Sequence, residues 1–350
     1  MHGRSRHGFF ASLSLSFQEN LKIRPAGTKR SLPPLTDIFW ECRVWTFLDR
    51  AIFGSRCDYR PNVEVSLAEL VLLREAISAM VRDGSVLAME GFTHLIPFAA
   101  GHEVIRQGRK NLTLIRMTPD IIYDQMIGVG CASRLVFSWG GNPGVGSLHR
   151  FRDAIQSAWP APLAIEEHSH ADMAARYQAG ASGLPFAVLR GYLGSDIPRC
   201  NESIRSVTCP FTGEVLAATR ALTPDVAIIH AQKADRKGNV LIQGITGIQK
   251  EAVLASKHSI VTVEEIVERL DAPMNSCVIP GWVVTYVCEV PGGAFPSYAQ
   301  GYYRRDNVFC KAWGRISRDR ETFMAWMQKH VLRTDDFSEF RRSLNADGVV

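Results

Sequence analysis

The sequence lacks several features that would place it in a specialised class. No stretch approaches 18 consecutive apolar residues, so no transmembrane helix is predicted. The net charge is only +5, and residues 1–65 hold 10 basic and 6 acidic residues of the 40 and 35 in the chain. The remainder is therefore nearly neutral and lacks the basic clustering of a nucleic-acid-binding domain. The sequence indicates a globular protein that acts on small molecules.

Motifs of common catalytic and metal sites are missing as well. None of the eight cysteines forms a C-x-x-C pair, and there is no G-x-S-x-G elbow, so neither a cysteine zinc site nor a serine hydrolase is predicted. The Gly-rich loop at residues 140–146 has the wrong spacing for a dinucleotide or P-loop site. We interpret the cysteines as reduced thiols of a cytoplasmic protein that holds no metal.

The beginning of the chain differs in composition from the rest. The first 30 residues contain a single acidic residue, Glu19, among arginines, lysines and serines. This composition is typical either of a transit peptide or of a start codon placed too far upstream. We therefore predict that residues 1–65 are an extension outside the fold, that residues 66–340 form the domain, and that residues 341–350 are a tail.

Residues 66–340 alternate between helix and strand patterns. A capping box at residues 66–69 predicts a helix that begins at Ser66 and presents one apolar face. Short apolar runs rich in Val and Ile predict buried strands, and helical patterns separate most of them. The sequence thus predicts the α/β class, with an open, mostly parallel sheet and helices on both faces.

Two pairs of ionisable residues could form a site. His168 and His170 would lie on one face if they were in a strand, and they are candidates for a metal pair, a structural pair or a catalytic donor. Glu264 and Glu265 follow an apolar run and could be a paired carboxylate site, but a helix-capping role is favoured. The residues alone leave these alternatives open.

Six segments between about residues 67 and 340 carry a further signal. They are LAMEGF (87–92), PFAAGHEVIRQG (97–108), SGLPF (182–186), DVAIIHAQKADRKGNV (225–240), IVTVEEIV (260–267) and PGGAFPSYAQGYYRRDN (291–307). In this order they resemble the A subunit of family I CoA-transferases, in the glutaconate CoA-transferase branch. The resemblance implies an open α/β fold that is related to sugar-phosphate isomerases.

The same resemblance implies a reaction and a partner. A glutamate of a B subunit attacks an acyl-CoA and becomes a glutamyl-CoA thioester, which passes CoA to an acceptor acid. The implied partners are a B subunit in an A2B2 assembly, succinyl-CoA and a dicarboxylic acid, with no nucleic acid and no membrane. Coenzyme A belongs to the substrate, so no separate cofactor is implied. The acceptor is expected to be 3-oxoadipate.

The resemblance also points to site residues. Relatives place a glutamine where this chain has His170, so His170 is predicted to donate a hydrogen bond to the oxyanion of the thioester, with Ser169 beside it. Glu90 replaces a glycine of the relatives and is either a carboxylate of the site or the end of a strand.

A distal carboxylate of the substrate requires a cation or a cluster of N–H groups. The candidates are Arg190 with residues 191–196, which include Ser195, the loop at residues 140–146, which includes Gly141, and Arg116.

Three alternatives to this function remain at the level of sequence. The first is transfer to glutaconate or another dicarboxylate. The second is a CoA-ester hydrolase, although a ring-degrading hydrolase of this fold carries a glutamate where His170 stands. The third is a non-catalytic regulatory module, because one fold can serve many functions.

Overall fold

The computed structural model describes residues 68–142, 145–192 and 194–346. Eight strands within them form a parallel path: β1 (Glu69–Leu70), β2 (Val86–Glu90), β3 (Leu112–Ile115), β4 (Ala132–Phe137), β5 (Ala164–Glu167), β9 (Val226–Asp235), β11 (His258–Val267) and β13 (Tyr286–Glu289). Their order in the sheet is β1-β13-β11-β9-β2-β3-β4-β5. Antiparallel β10 (Val240–Gln243) and β12 (Ser276–Ile279) extend the sheet beside β9 and complete its ten strands.

Helices cover both faces of this sheet. The described helices are α1 (Leu73–Met80), α2 (Phe98–Arg106), α3 (Ile121–Gly128), α4 (His149–Ser157), α5 (His170–Ala181), α6 (Ile197–Cys200), α7 (Gln249–Ala255), α8 (Asn307–Ile316), α9 (Arg320–Met327) and α10 (Phe337–Ala346), together with a short 3-10 turn (Gly281–Val283) and a π-helical turn (Gln328–Leu332); all but the short α6 contribute buried residues to the core. None of the described helices has both the length and the apolar character that a membrane span requires.

Alternation along the strands divides the core into two layers. Leu87 and Met89 of β2 pack with Ile77 of α1 on one face, whereas Ala88 packs with Tyr177 of α5 on the other face. Successive side chains of a strand point to opposite faces, and a sheet that is apolar on both faces requires cover on both. The predicted α/β class and the mostly parallel, doubly covered sheet are thus confirmed.

A second, three-stranded sheet was not anticipated from the sequence. It is antiparallel and contains β6 (Phe186–Leu189), β7 (Ile204–Thr208) and β8 (Val215–Arg220), in the order β6-β8-β7. β6 is an edge strand of this small sheet, and it pairs with β8 and not with the main sheet. β7 and β8 are short and lack the continuous Val- and Ile-rich runs that mark the strands of the main sheet.

Two predicted boundaries differ from the structure. The helix predicted from Ser66 begins only at Leu73, because Glu69 and Leu70 extend along β13 as a strand. Ser66 itself lies outside the described residues, as does the extension predicted over residues 1–65. At the other end, α10 continues to Ala346 and buries Leu344, so the packed fold extends past the predicted boundary at residue 340.

Candidate functional site

The carboxyl ends of the parallel strands bring the candidate residues to one edge of the sheet. Glu90 ends β2, Arg116 follows β3, Trp139 follows β4, and His168 follows β5. β2 lies between β3 and β9, so the direction of strand addition changes between β2 and β9. In open α/β sheets, ligands bind outside the carboxyl ends of the strands at such a switch point.

His168 is the centre of a buried polar network. It is only 1% exposed, its Nδ1 lies 2.6 Å from Asp172 Oδ2, and its Nε2 lies 2.9 Å from Glu166 Oε1. Arg176 forms an ion pair of 3.0 Å with the same oxygen of Glu166. Both nitrogens of His168 therefore have partners inside the protein, which assigns this histidine a structural role.

The carboxylates of this network are strongly stabilised in the charged form. Burial opposes ionisation of Glu166, but the hydrogen bond to His168 and the charge on Arg176 lower its pKa to about 2. Asp172 is also buried, yet hydrogen bonds from His168, Thr219 and Tyr192 hold its pKa below the usual value. The Thr219 Oγ1 and Tyr192 OH donors lie 2.6 and 2.8 Å from the Asp172 oxygens. The network thus anchors the beginning of α5.

Ser169 and His170 stand where this network meets the surface. Ser169 is the N-cap of α5, and its Oγ accepts a hydrogen bond of 3.1 Å from the Asp172 N–H. The Ser169 N–H donates to Tyr192 OH at 2.8 Å. His170 is the first residue of the helix, is exposed, and makes no side-chain hydrogen bond within the described part of the chain. Its imidazole is therefore accessible to a substrate or a partner.

The structure rejects the metal pair formed by His168 and His170. β5 ends at Glu167, so the two histidines are not in a strand, and the turn into α5 buries one and exposes the other. No group of three or more potential metal ligands is present among the described residues.

Glu90 lies deep at the end of β2. It is 2% exposed, and its Oε1 accepts hydrogen bonds from Tyr177 OH at 2.9 Å and from the Met117 N–H at 3.2 Å. Burial raises the pKa of Glu90 to about 7, although the positive charge of Arg116 works in the opposite direction. Glu90 is thus a strand-terminal side chain that is hydrogen-bonded to neighbouring elements, and its pKa is higher than that of an exposed glutamate.

Arg116 is enclosed and serves the protein itself. Its Nη2 donates to the Gly91 carbonyl oxygen at 2.8 Å and to Asp120 Oδ2 at 2.9 Å, and the side chain is fully buried. Burial raises the pKa of Asp120, and the charge of Arg116 partly offsets that rise. Its Nε and Nη1 are buried and have no hydrogen-bond partner among the described residues, so the role predicted for Arg116 in binding the distal carboxylate stays a prediction.

The remaining predicted residues occupy the surface near the edge. Arg190 is exposed and forms a bidentate ion pair with Glu214, at 2.9 and 3.0 Å. Ser195 is exposed, and its Oγ donates to the Tyr192 carbonyl at 3.1 Å, so it lies on the loop whose tyrosine contacts Ser169.

Gly141 lies beside Trp139, where an added Cβ would come within 2.6 Å of the indole ring. Its own N–H donates to the Pro119 carbonyl at 3.1 Å. Pro143 and Gly144 of the same loop lie outside the described residues.

A second buried network lies on β9 and β11, and the sequence alone does not reveal it. His230 Nε2 lies 2.7 Å from Glu264 Oε1, and its Nδ1 lies 2.8 Å from Thr262 Oγ1. The Gly292 N–H donates to Glu264 Oε2 at 2.6 Å. The predicted helix cap at Glu264 and Glu265 is wrong because β11 continues to Val267; Glu264 points inward and Glu265 points out to Lys233. Strand alternation could have separated the two glutamates.

The loop after Glu90 is a second feature that the sequence did not reveal. Thr93 and Leu95 have positive φ angles of 55° and 54°, which non-glycine residues adopt rarely. A Cβ at Gly91 would come within 2.7 Å of the Leu95 carbonyl oxygen, so the loop requires glycine there. Phe92 remains 42% exposed at the switch point. Strained backbone of this kind is concentrated at functional sites.

Comparison with known proteins identifies the family. Residues 71–290, more than half of the chain, match the family model described as coenzyme A transferase. The chain belongs to the coenzyme A transferase family. Within this family it is 64% identical, over 278 residues, to the A subunit of the 3-oxoadipate CoA-transferase of Pseudomonas knackmussii; the match covers 79% of this chain and 99% of that relative. The family predicted from the sequence is confirmed.

More distant members of the family share the fold. The A subunit of the glutaconate CoA-transferase of Acidaminococcus fermentans is 30% identical over 306 residues, and the crystal structure of that enzyme superposes with a TM-score of 0.73 over 81% of this chain and 94% of that chain. The cholesterol ring-cleaving hydrolase IpdA subunit of Rhodococcus jostii is 29% identical over 185 residues, which is 50% of this chain and 62% of that protein.

Proposed function

We propose that this chain is the A subunit of a 3-oxoadipate CoA-transferase. The observation that carries the proposal is the 64% identity to such a protein over 99% of that relative's length. In the reaction, CoA leaves succinyl-CoA and is joined to 3-oxoadipate, so that one thioester is broken and one is formed. Coenzyme A enters and leaves as part of the substrates, and the chemistry requires no resident cofactor.

The nucleophile is assigned to the B subunit that would be the partner of this chain. Its glutamate carboxylate attacks the thioester carbonyl and expels CoA thiolate, and the thiolate then attacks the glutamyl carbonyl and releases succinate. The resulting glutamyl-CoA thioester reacts with 3-oxoadipate by the same two steps in reverse.

The carboxylates of this chain at the sheet edge support that division of labour. Glu90, Glu166, Asp172 and Glu264 are buried or nearly buried and are all engaged in hydrogen bonds. None of these four is free to attack a thioester.

His170 is proposed to stabilise the oxyanion that forms at each attack. A donor for an oxyanion has to be held in place before the reaction. If the donor had to reorient during the reaction, the free-energy cost of that movement would offset the stabilisation of the transition state. α5 begins at His170, and its start is held by the Ser169 cap and by the buried network of His168 and Asp172. The exposed imidazole of His170 thus stands on a rigid base, which suits a donor that acts on a substrate brought by the partner.

Recognition of the distal carboxylate is proposed to involve surface groups near this position. Ser195 and Tyr192 lie on the loop that contacts Ser169, and Gly141 lies on the loop after Trp139. Arg190 could contribute a cation, but Glu214 holds both arms of its guanidinium and would have to release it. The candidate ligands for the distal carboxylate are therefore backbone N–H groups, hydroxyl groups and the guanidinium group of Arg190.

Reconstitution tests the proposed function. We expect this chain and its co-purified B subunit, in an A2B2 assembly, to convert succinyl-CoA and 3-oxoadipate to succinate and 3-oxoadipyl-CoA with ping-pong kinetics, and each polypeptide by itself to be inactive. A complex in which the nucleophilic glutamate of the partner is replaced by Ala is the matched inactive control. Transfer by this chain without its partner, or net hydrolysis of succinyl-CoA by the complex, would contradict the proposal.

A second candidate acceptor is glutaconate or another dicarboxylate. The similarity to the glutaconate enzyme in both sequence and structure favours this alternative over an unrelated substrate. A panel of C4 to C6 dicarboxylic acids, assayed with the same complex, separates the two. A higher kcat/KM for glutaconate than for 3-oxoadipate would establish the alternative.

A further inference from the structure

Glu90 is a buried acid that the transfer reaction proposed above does not use. It is the last residue of β2 and immediately precedes the strained loop at residues 91–95, at the switch point of the sheet. A carboxyl group in this position is costly to bury, because desolvation disfavours its charged form. The contacts of the buried carboxyl group have to offset this cost.

The carboxyl group of Glu90 joins three elements. Its Oε1 receives the Tyr177 hydroxyl from α5, the helix that begins with His170, at 2.9 Å. The same oxygen receives the Met117 N–H at 3.2 Å, just past the end of β3. In the described part of the chain no donor reaches Oε2. Glu90 therefore connects the end of β2 to the neighbouring strand and to the helix of the proposed oxyanion donor.

The connection continues to β4 through Met117. The Met117 carbonyl accepts hydrogen bonds from the N–H groups of Ser138 and Trp139, at 3.1 and 3.2 Å. Trp139 in turn packs against Gly141. A displacement of Glu90 would therefore shift both the loop that contains Gly141 and the helix that begins with His170.

The loop at residues 91–95 depends on several fixed contacts. Arg116 donates to the Gly91 carbonyl, Ser297 Oγ donates to the Thr93 carbonyl at 2.8 Å, and the Leu95 N–H donates to the Tyr298 carbonyl at 2.9 Å. Unfavourable φ angles persist only where the surroundings over-determine them. Glu90 supplies the anchor on the side of the sheet that faces α5.

The ionisable groups around Glu90 come from each element packed against it. Arg116 and Asp120 lie at the end of β3 and the start of α3, Tyr123 lies in α3, and Tyr177 lies in α5. Arg116 makes its hydrogen bonds to Gly91 and Asp120 rather than to Glu90. The Oε1 of Glu90 is thus held by two neutral donors, an arrangement compatible with a protonated carboxyl group.

We propose that Glu90 is a positioning residue whose carboxyl group, the shared hydrogen-bond acceptor of Tyr177 and Met117, locks the loop at residues 91–95 to the helix that carries His170, so that both are presented to the substrate in one fixed geometry. This inference rests on the proposed function, because the geometry matters for a thioester that lies between the two segments.

Three variants test the proposal in the co-purified complex. E90A leaves the Tyr177 hydroxyl and the Met117 N–H without an acceptor, and we expect kcat to fall on the order of 10²-fold with a much smaller change in KM. E90Q keeps the acceptor oxygen and stays neutral, and it should retain kcat within about threefold at pH 6. Y177F removes one donor and should lose about tenfold. D225N is the matched control, because Asp225 caps the opposite end of β2 through the Val86 N–H.

Two readouts separate positioning from a general loss of structure. The first is rescue by the conservative variant: kcat of E90Q should exceed kcat of E90A by about 30-fold, because the amide oxygen still accepts hydrogen bonds from Tyr177 and the Met117 N–H. Amide hydrogen exchange of residues 91–95 and 169–172 should accelerate in E90A and Y177F but not in E90Q or D225N. Unchanged exchange together with wild-type kcat in E90A would overturn the proposal and leave the transferase function intact. An inactive wild-type complex with accelerated exchange in E90A would instead refute the function and retain the anchor.

Discussion

Two buried carboxylate clusters stand at the same edge of the sheet, and they are electrostatic opposites. Around His168, burial of Glu166 and Asp172 is outweighed by His168, Arg176 and hydroxyl donors, so both pKa values are lowered. At Glu90, by contrast, burial outweighs two neutral donors and an arginine that is engaged elsewhere, so the pKa is raised to about 7. The number and charge of the donors thus decide the protonation state of each cluster. One cluster favours the ionised form of its carboxylates, and the other shifts its carboxyl group towards the protonated form.

The largest effect is expected from removing the centre of the charged cluster. H168A leaves Glu166, Asp172 and Arg176 buried without their common partner, and loss of one member of a buried charged network costs about 3–5 kcal/mol. We expect urea denaturation to show a loss of free energy of unfolding of that order. The exposed neighbour Glu167 provides the control E167A, which should be near neutral. A decrease in the free energy of unfolding of less than about 1 kcal/mol in H168A would mean that the network does not stabilise the fold.

Removing the side chain of His170, which begins the helix anchored by this cluster, should affect catalysis rather than stability. H170A deletes the proposed oxyanion donor, and kcat should fall on the order of 10²-fold or more. The His170 side chain makes no hydrogen bond within the described residues, so the midpoint of urea denaturation should hardly move. H170Q restores a donor amide and should recover much of kcat. Wild-type turnover in H170A would remove His170 from the mechanism.

The pH dependence of stability should have opposite signs for the two clusters. The native pKa of Glu90 is raised from 4.5 to about 7, so its stabilising contribution is complete below pH 4.5 and is lost as the pH rises through about 7. E90Q, which cannot ionise, should therefore gain stability relative to wild type between pH 4 and pH 8, by roughly 2–3 kcal/mol. Glu166 has a lowered pKa, so its contribution is lost only as the pH falls from 4.5 towards 2. Denaturation midpoints of wild type and E90Q between pH 2 and 9 cover both pH ranges.

The smallest effect is expected at the cap that joins the charged cluster to the surface. S169A removes the acceptor for the Asp172 N–H and should cost about 1 kcal/mol of stability, whereas S169N should retain most of it. If Ser169 only caps α5, kcat should change by less than about threefold in both variants. A loss of kcat in S169A as large as that in H170A would give the hydroxyl a direct part in the reaction.

The main sheet could be predicted from the sequence because the relevant signals are local. Apolar runs such as residues 226–230 and 259–263, separated by helical patterns, are sufficient to predict a buried parallel sheet. Two strands of the small antiparallel sheet, β7 and β8, have no comparable signal, because they are half exposed and mix polar with apolar residues.

The candidate site could be predicted only in part. His170 could be located by the resemblance of its surroundings, but the division of roles between His168 and His170 depends on the turn from β5 into α5. The bonds of Glu90 and Glu264 join residues far apart in the chain, with separations of 87 and 34 residues for their contacts to Tyr177 and His230. No spacing rule in one sequence reveals such pairs, because the topology of the sheet creates them.

The central claim is that this chain supplies preorganised hydrogen-bond donors while its partner supplies the attacking carboxylate. The direct test is to incubate the co-purified complex with succinyl-CoA alone, to reduce the trapped thioester with borohydride, and to locate the modified glutamate by peptide mass spectrometry. The account predicts a single modified glutamate in the partner and none in this chain. Modification of a carboxylate in this chain, or of none in either polypeptide of an active complex, would contradict it.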